Sequence, residues 1–490
     1  GRMAPIIMQK PLLQISQSAQ TAKYNLLLIF MCCLSAGSLI AQQAPIQYFR
    51  PWDQRGINIF EPSKDADQPA FDSLAIRFGA DFTQDFQSLR HTNAAIYFPE
   101  SPVNLVNKNL LFGAGSDANG DTTTALLQGF STAMANLNLD VQLADGIRLS
   151  VETYMSTRHH EEFWVKGGYI QVDKLPMLGN PEWFSKYVRL KIGEFTPNYG
   201  DMHFRRSDAG NCMYNPFVEN YIIDAFTTEI GGEIYLFPVK GLSFMAGATN
   251  GQVEGNVTPY PTTPPPGFNS RNERKPSILF KAAYDKTKED LRFRISVSAY
   301  SNSGNYFNSL YLGDRGGSHY SMVFEQARSL ILKSGVPVGI GPSTTSNNKD
   351  SGRFLPLFNN KVSSFMVNPF IKFHGLEFFG TYEQLKGRMN FEPAGVERKF
   401  TQLAGELVYR FLAREQLYIG ARYNTITGRQ LFTNYDVTVN RTTVAAGWFP
   451  TRNILVKAEY VTQKYLDFTP YDYQYNGKFD GMTIQAVVGF

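Results

Sequence analysis

The chain has 490 residues, with 47 basic and 43 acidic side chains, 14% aromatic residues, 41 glycines and three cysteines. A net charge of +4 spread over this length is too dilute for nucleic-acid binding through phosphate contacts, and three cysteines cannot build a disulfide framework. Tyr and Phe together number 64, a composition that favours β structure.

Residues 1–41 contain Arg2, Lys10 and Lys23, no acidic residue, and then the apolar run Leu26–Leu34 followed by small residues to Ala41. That order is expected of a secretory signal peptide, and the run is much shorter than the roughly 20 residues that cross a bilayer as a helix. Gln42 is taken as the first mature residue, and translation as starting at Met3 or Met8. Removal of the segment leaves 44 basic against 43 acidic residues, so the mature charge is close to +1. Cys32 and Cys33 leave with it, and Cys212 stands alone with no intramolecular disulfide available. Acylation of Cys32 or Cys33 is disfavoured, because "IFMCC" lacks the small residues expected before a lipidated cysteine.

Alternation begins at Leu74, Ile76, Phe78, Ala80 and Phe82, interleaved with Arg77, Gly79 and Asp81. Next, Leu137, Leu139, Val141 and Leu143 alternate with Asn136, Asn138, Asp140 and Gln142; the chain turns at Ala144-Asp145-Gly146 and resumes at Ile147, Leu149 and Val151. Period and turn chemistry together predict a hairpin. Further strands are predicted at Phe163–Asp173, Tyr187–Thr196, Phe226–Phe237, Leu242–Asn250, Ser277–Asp285, Leu291–Ser301, Ser364–Phe373 and Leu376–Leu385. Phe400–Phe411, Leu417–Ile426, Val437–Phe449, Ile454–Thr462 and Gly481–Phe490 bring the count to about 16.

Short turns at Pro238–Gly241, Asp285–Asp290, His374-Gly375, Leu412–Glu415 and Pro450–Asn453 alternate with long polar excursions at Leu89–Thr123, Pro197–Ala225, Gln252–Pro276 and Asn302–Ser363. This is a meander closed into a ring. A soluble sandwich or lipocalin-like barrel is the competing architecture, but a ring of about 16 strands is too wide for side chains to fill. The polar parity is therefore expected to face a wet lumen and the apolar parity lipid, as in an all-β, antiparallel, up-and-down transmembrane β-barrel. Phe373, Phe411, Trp448 and Phe490 share the outward parity beside short turns or the last residue, and form one expected aromatic girdle. Tyr382, Tyr423 and Tyr460 start the other. Met482, Ile484, Ala486, Val488 and Phe490 give the last strand a wholly apolar face, and that strand is expected to pair with the first.

A signal peptide, an alternating last strand and terminal Phe490 resemble outer-membrane porins of Gram-negative bacteria. "YFRPWDQRGINIFEP" (Tyr48–Pro62) and "LKIGEFTPNYGDMHFRRSDAGN" (Leu190–Asn211) resemble porin-like proteins of the Bacteroidota type, and "KIGEFTPNYG" is similar to a strand-to-loop passage of phosphate-selective porins O and P. The resemblance implies a passive diffusion channel for small hydrophilic solutes or ions, a homotrimer, and a last strand whose Phe490 is read by the barrel assembly machinery. It divides the chain into signal peptide 1–41, periplasmic N-terminal segment 42–70 and barrel 71–490. The roughly 30 residues before the first strand are too few for a folded plug domain.

The inward parity supplies the candidate pore wall: Arg77, Asp81, Arg189, Lys191, Glu229, Glu233, Lys281, Arg292, Arg294, Lys372, Glu377, Glu383, Glu406, Arg410, Arg422, Arg441, Lys457 and Glu459. Arg189 and Lys191 are expected beside Glu229 and Glu233, and Arg292 and Arg294 beside Lys281, either as segregated rows that set a transverse field or as mutually neutralised pairs. The loop "DMHFRRSDAGNCMYNPF" carries Arg205, Arg206 and Asp208. In a loop folded into the lumen, the two guanidinium forks would grip anions and give an anion preference; on the surface they are merely solvated.

His159-His160-Glu161-Glu162 lacks metal-ligand spacing, and "SDANGD" (Ser116–Asp121) lacks the downstream glutamate of a calcium loop. No metal or cofactor is expected. Tyr465–Phe479 and Pro259–Gly267 read as stiff outer loops. Six histidines include no visible nucleophile pair, so no enzyme is expected. The competing function is a non-conducting barrel that scaffolds a secretion, adhesion or envelope complex. "SMVFEQARSLILKSG", within Asn302–Ser363, is read as a short amphipathic helix that either hangs outside or seals the pore, or as an added hairpin giving 18 strands.

Overall fold

The computed structural model describes residues 43–94, 128–156, 163–251, 275–305, 307–312, 317–324, 328–333, 336–342, 352–393, 395–431, 433–470 and 472–490. The signal-peptide region, the His159–Glu162, Ser116–Asp121 and Pro259–Gly267 stretches lie outside the described residues. Every element below lies within Ile46–Phe490.

Period-two alternation becomes strand throughout. The first half of the chain forms β1 (Ala75–Thr92), β2 (Gln128–Ala144), β3 (Ile147–Ser156), β4 (Phe163–Val172), β5 (Val188–Phe195), β6 (Glu229–Val239), β7 (Leu242–Thr249), β8 (Ser277–Lys288) and β9 (Leu291–Asn302). After a small hairpin, β10 (Arg328–Lys333) and β11 (Val336–Pro342), come β12 (Lys361–Phe373), β13 (Leu376–Arg388), β14 (Arg398–Phe411) and β15 (Leu417–Arg429). The last three are β16 (Asp436–Thr451), β17 (Ile454–Leu466) and β18 (Lys478–Gly489), and a short helix, α1 (Glu182–Tyr187), leads into β5.

Sixteen strands close into one antiparallel barrel in chain order, with β9 beside β12 and β18 beside β1. The closing register runs from Asp81 opposite Gly489 to Thr92 opposite Lys478. Phe490 extends it: its N–H donates to the Ala80 carbonyl at 3.2 Å and its carbonyl accepts from Ala80 N–H at 3.3 Å. Both edges of the sheet are thereby removed, which a strand structure needs in lipid. The β2–β3 turn requires its glycine. Gly146 has φ +74°, and a Cβ there would lie 2.4 Å from that of Lys174.

Parity sorts the faces as expected: Phe373, Phe411, Trp448 and Phe490, and likewise Tyr382, Tyr423 and Tyr460, are all exposed on the outside. Several elements differ from the sequence reading: β8, β13, β15 and β17 run three or four residues further, and β12 and β18 begin three residues earlier. β1 continues past Leu89 to Thr92 because its alternation continues, with Phe86 exposed and Gln87 buried. β6 begins at Glu229 instead of Phe226, since Phe226 belongs to the buried loop before it. The segment expected to be an amphipathic helix supplies β10, which pairs only with β11 outside the ring. Its six residues are fewer than the roughly 9–11 that cross a bilayer as a strand, so the ring has 16 strands and not 18.

The larger correction concerns the lumen. A ring of this width cannot be filled by wall side chains, yet it is filled by inserted chain, and the buried apolar clusters lie inside it. One gathers Cys212, Met213, Phe217, Val408, Tyr418, Phe449, Leu455 and Val487; a larger one includes Tyr199, Ile222, Tyr311, Phe358 and Phe479.

Leu407, on the outer face of β14, is half-exposed. Leu407→Arg is expected to lower unfolding stability in lipid by about 2–4 kcal/mol, measured by urea titration of the barrel in bilayers; an unchanged midpoint would place this face away from lipid.

Candidate solute passage in a packed lumen

Four stretches fill the barrel. Residues 46–64 run across its short-turn end: Gln47 N–H donates to Gln142 Oε1 at 2.7 Å, Asn58 Nδ2 to Glu377 Oε1 at 2.6 Å, and Gln54 Nε2 to the Arg414 carbonyl at 2.9 Å. Residues 196–228 cross the middle and bond to opposite walls. Gly210 N–H donates to Asn136 Oδ1 at 2.7 Å on β2, whereas Val218 N–H donates to Glu459 Oε2 at 2.7 Å on β17. Residues 303–305, 307–312, 317–324 and 352–359 lie above them: Tyr311 Oη donates to Glu383 at 2.5 Å and Phe354 N–H to the Ile222 carbonyl at 2.8 Å. Irregular backbone survives burial only when its polar groups are paired, and the inward amides Asn136, Asn368, Gln402 and Asn424 provide that pairing.

Most of the charged wall residues are consumed in the same way. Lys281 Nζ lies 2.7 Å from Asp201 and 2.9 Å from Glu61; Arg294 lies 2.9 Å from Asp201 and 2.7 Å from Glu61. Two cations and two carboxylates cancel. The segregated rows expected from the strands are therefore absent here, because carboxylates from the inserted chain meet the wall cations. Arg292 pairs with Asp285 at 2.6 Å, Arg410 with Glu377 at 2.7 Å, Lys372 with Glu415 at 2.6 Å and Arg422 with Glu406 at 2.9 Å. Arg441 donates to the Asn220 and Gly352 carbonyls, and Lys457 to those of Cys212, Asn215 and Phe217 at 3.0 Å each. Asp81 accepts from Asn138 at 2.8 Å, and Arg77 stacks over Phe49.

Neither expected cross-strand pairing forms near β5. Arg189 turns to Asp173 at 2.8 Å. Glu229 accepts from Tyr300 at 2.6 Å, and Glu233 from Asn198 N–H at 2.7 Å. In the crossing loop, Arg205 is buried, pairing with Glu406 at 3.1 Å and with Asn58. Arg206 pairs with Asp224 at 2.7 Å and Asp208 at 3.1 Å, and Asp208 also holds Lys166. Arg205 is thus a structural anchor, whereas Arg206 and Asp208 line a cavity.

That cavity, of about 200 Å³, lies off the axis against β3–β6. Its lining extends from Arg148, Gln171 and Arg189 near the short turns to Thr196, Phe226 and Thr228 at the long-loop end. Six cations, Arg50, Arg148, Lys166, Arg189, Lys191 and Arg206, face four carboxylates, Glu61, Glu152, Glu194 and Asp208. His203 also lines it; burial, aided by nearby Lys281, pushes its imidazole well below the usual range. Sequence reasoning missed Arg50, Glu61, Arg148 and Lys166 as lining groups. Arg148 and Lys166 follow from strand parity; Arg50 and Glu61 lie outside any strand and carry no periodic signal.

A second constellation also escaped the sequence reading. Cys212 Sγ is 3.2 Å from His319 Nε2, and His319 Nδ1 is 2.8 Å from Asp85. All three are fully buried, and none lines the cavity.

No family model matches the chain, and no curated protein matches it in sequence. Among solved structures, the barrel is similar to outer-membrane expressed OmpT of Vibrio cholerae, with TM-score 0.45, 10% identity, and 86% of this chain and 99% of that one covered. An anion-selective porin from Comamonas acidovorans gives 0.48, 10%, 85% and 100% for the same measures. The outer membrane channel DcaP of Acinetobacter baumannii gives 0.45, 10%, 85% and 98%. A likeness at this level assigns no function.

The four-charge cluster yields a pH expectation. Burial pushes the Glu61 carboxyl up, but Arg294 and Lys281 outweigh it and hold the group well below the carboxylate range; Asp201 is held down by the same two cations. Depressed carboxylates stabilise the fold above their unfolded values of about 4 and lose that contribution only as pH falls through the lower, folded values. The contribution of this cluster to stability is therefore expected to be flat from pH 7 to about 5 and to fall only in stronger acid. At pH 7, Asp201→Asn should cost about 3–5 kcal/mol, because it leaves buried cations uncompensated. Urea unfolding of both proteins across pH measures this; equal stabilities at pH 7 would show the cluster to be dispensable.

Proposed function

We propose that this chain is an outer-membrane porin of restricted bore, in which small hydrophilic solutes travel along the β3–β6 wall with a preference for anions. The observation that carries the reading is the off-axis cavity, whose lining follows β5 from Arg189 to Phe195 and carries six cations against four carboxylates. A low-dielectric wall focuses the field of such a lining and concentrates counter-ions.

The Bacteroidota-type resemblance, with its similarity to phosphate-selective porins O and P, belongs to this proposal. Its two stretches, Tyr48–Pro62 and Leu190–Asn211, meet on the same cavity through Arg50, Glu61, Lys191 and Arg206. Export by the signal peptide, placement of residues 42–70 on the periplasmic side, recognition of the last strand and Phe490 by the barrel assembly machinery, and trimerisation are parts of the same reading. Catalysis is no part of it: Cys212 and His319 sit in the nucleophile–base relation, but their burial leaves a substrate no place beside the sulfur.

One observation favours a second reading. Loop backbone bonded to opposite walls would suit a non-conducting scaffold whose exterior loops meet partner proteins.

Single-channel recording of the purified protein in planar bilayers, under a salt gradient, separates the two. The porin reading expects small discrete steps with an anion-favouring reversal potential. A correctly folded, heat-modifiable barrel that gives no steps would leave the scaffold.

A further inference from the structure

Two cations on the cavity wall differ from the others. Arg148, Lys166, Arg189 and Arg206 each face a carboxylate within 3.1 Å. Arg50 and Lys191 face none among the described residues. Arg50 spends Nε and Nη2 on the carbonyls of Gly56 and Phe204, at 2.8–2.9 Å, and stacks 3.9 Å from the Tyr214 ring centre. Its Nη1 donates to no described atom. Lys191 Nζ has no hydrogen-bond acceptor there and lies 4.4 Å from the ring centres of both Tyr169 and Phe195.

The lining carboxylates are engaged elsewhere. Glu61 is held by Lys281 and Arg294, Glu152 and Asp208 by Lys166, and Glu194 accepts from Thr228 Oγ1 at 3.1 Å. A partly enclosed cavity therefore holds two cations with no carboxylate at ion-pair distance among the described residues, although Glu233 stands opposite Lys191 in the strand register and Glu152 acts on Arg50 from farther away. Unpaired charge away from bulk water is costly, and an anion entering the cavity removes that cost.

We propose that this cavity binds a small organic carboxylate, with Lys191 as the anchoring cation, Arg50 as the second positive charge, and the rings of Tyr169, Phe195, Phe204 and Tyr214 receiving the apolar body. The inference rests on the porin reading only for the route by which the ligand arrives. Aromatic walls reward an apolar or planar body. Phosphate, by contrast, is gripped by several directed donors, and here Lys191 is a point charge and most of the Arg50 fork is occupied. A volume of about 200 Å³ falls below the roughly 300–1,000 Å³ of pockets for drug-sized ligands, which limits the body to about one ring.

The test is benzoate binding to the full purified protein in detergent micelles, followed by saturation-transfer NMR with benzyl alcohol and inorganic phosphate as competitors. Saturable benzoate binding is expected, resistant to both competitors, about tenfold weaker in Lys191→Met and restored in Lys191→Arg. Equal binding by wild type and Lys191→Met, or displacement by phosphate at equal concentration, would overturn the proposal. If Lys191→Met fails to fold, competition on the wild type decides alone. Binding requires no conduction: saturable binding by a barrel that gives no channel steps leaves this inference standing and removes the porin reading, whereas steps without binding do the reverse.

Discussion

Closure of the ring is the constraint from which the rest follows. Once β18 pairs with β1 and Phe490 bonds to Ala80, no backbone edge remains, and every strand must choose an inside and an outside residue by residue. The outside becomes a continuous apolar band. The inside collects the charged and amide side chains of sixteen strands around one common space. A polar interior of that width is stable either wet or filled by chain whose own polar groups match the wall.

This barrel takes the second course, and matching is visible on both sides of the contact. The inserted loops have little regular structure, so their N–H groups need partners that no helix or strand supplies. Asn136, Asn368, Gln402, Asn424 and Glu459 on the wall accept those bonds. Ion pairing completes the fit, most densely where Glu61 from the N-terminal segment and Asp201 from the crossing loop sit between Lys281 on β8 and Arg294 on β9. A single cluster thus holds two inserted segments against the wall, and buried pairs of this kind are costly to break from one side.

Filling is uneven. Against β12–β18 the loops leave packed clusters and saturated cations; against β3–β6 they leave a cavity with positive charge to spare. The buried Cys212, His319 and Asp85 belong to the packed side.

Strand number, the order of short and long connections, the apolar exterior, and the inward placement of Arg189, Lys191, Lys281, Arg294, Arg422 and Lys457 were all legible in the sequence. They depend on a period of two residues, which is local and survives in any stretch read alone. What those inward side chains touch was not legible. The partners of Lys281 and Arg294 come from positions 61 and 201, remote in the chain and carried on segments without periodicity. One signal was present: an inward face so rich in Asn and Gln suits captured backbone better than water. The difference between a wet lumen and a packed one, between Arg205 as an anion grip and Arg205 as an anchor for Asn58 and Glu406, was decided only by tertiary structure. Burial and pairing are properties of where distant loops come to rest, and no local pattern of residues encodes that destination.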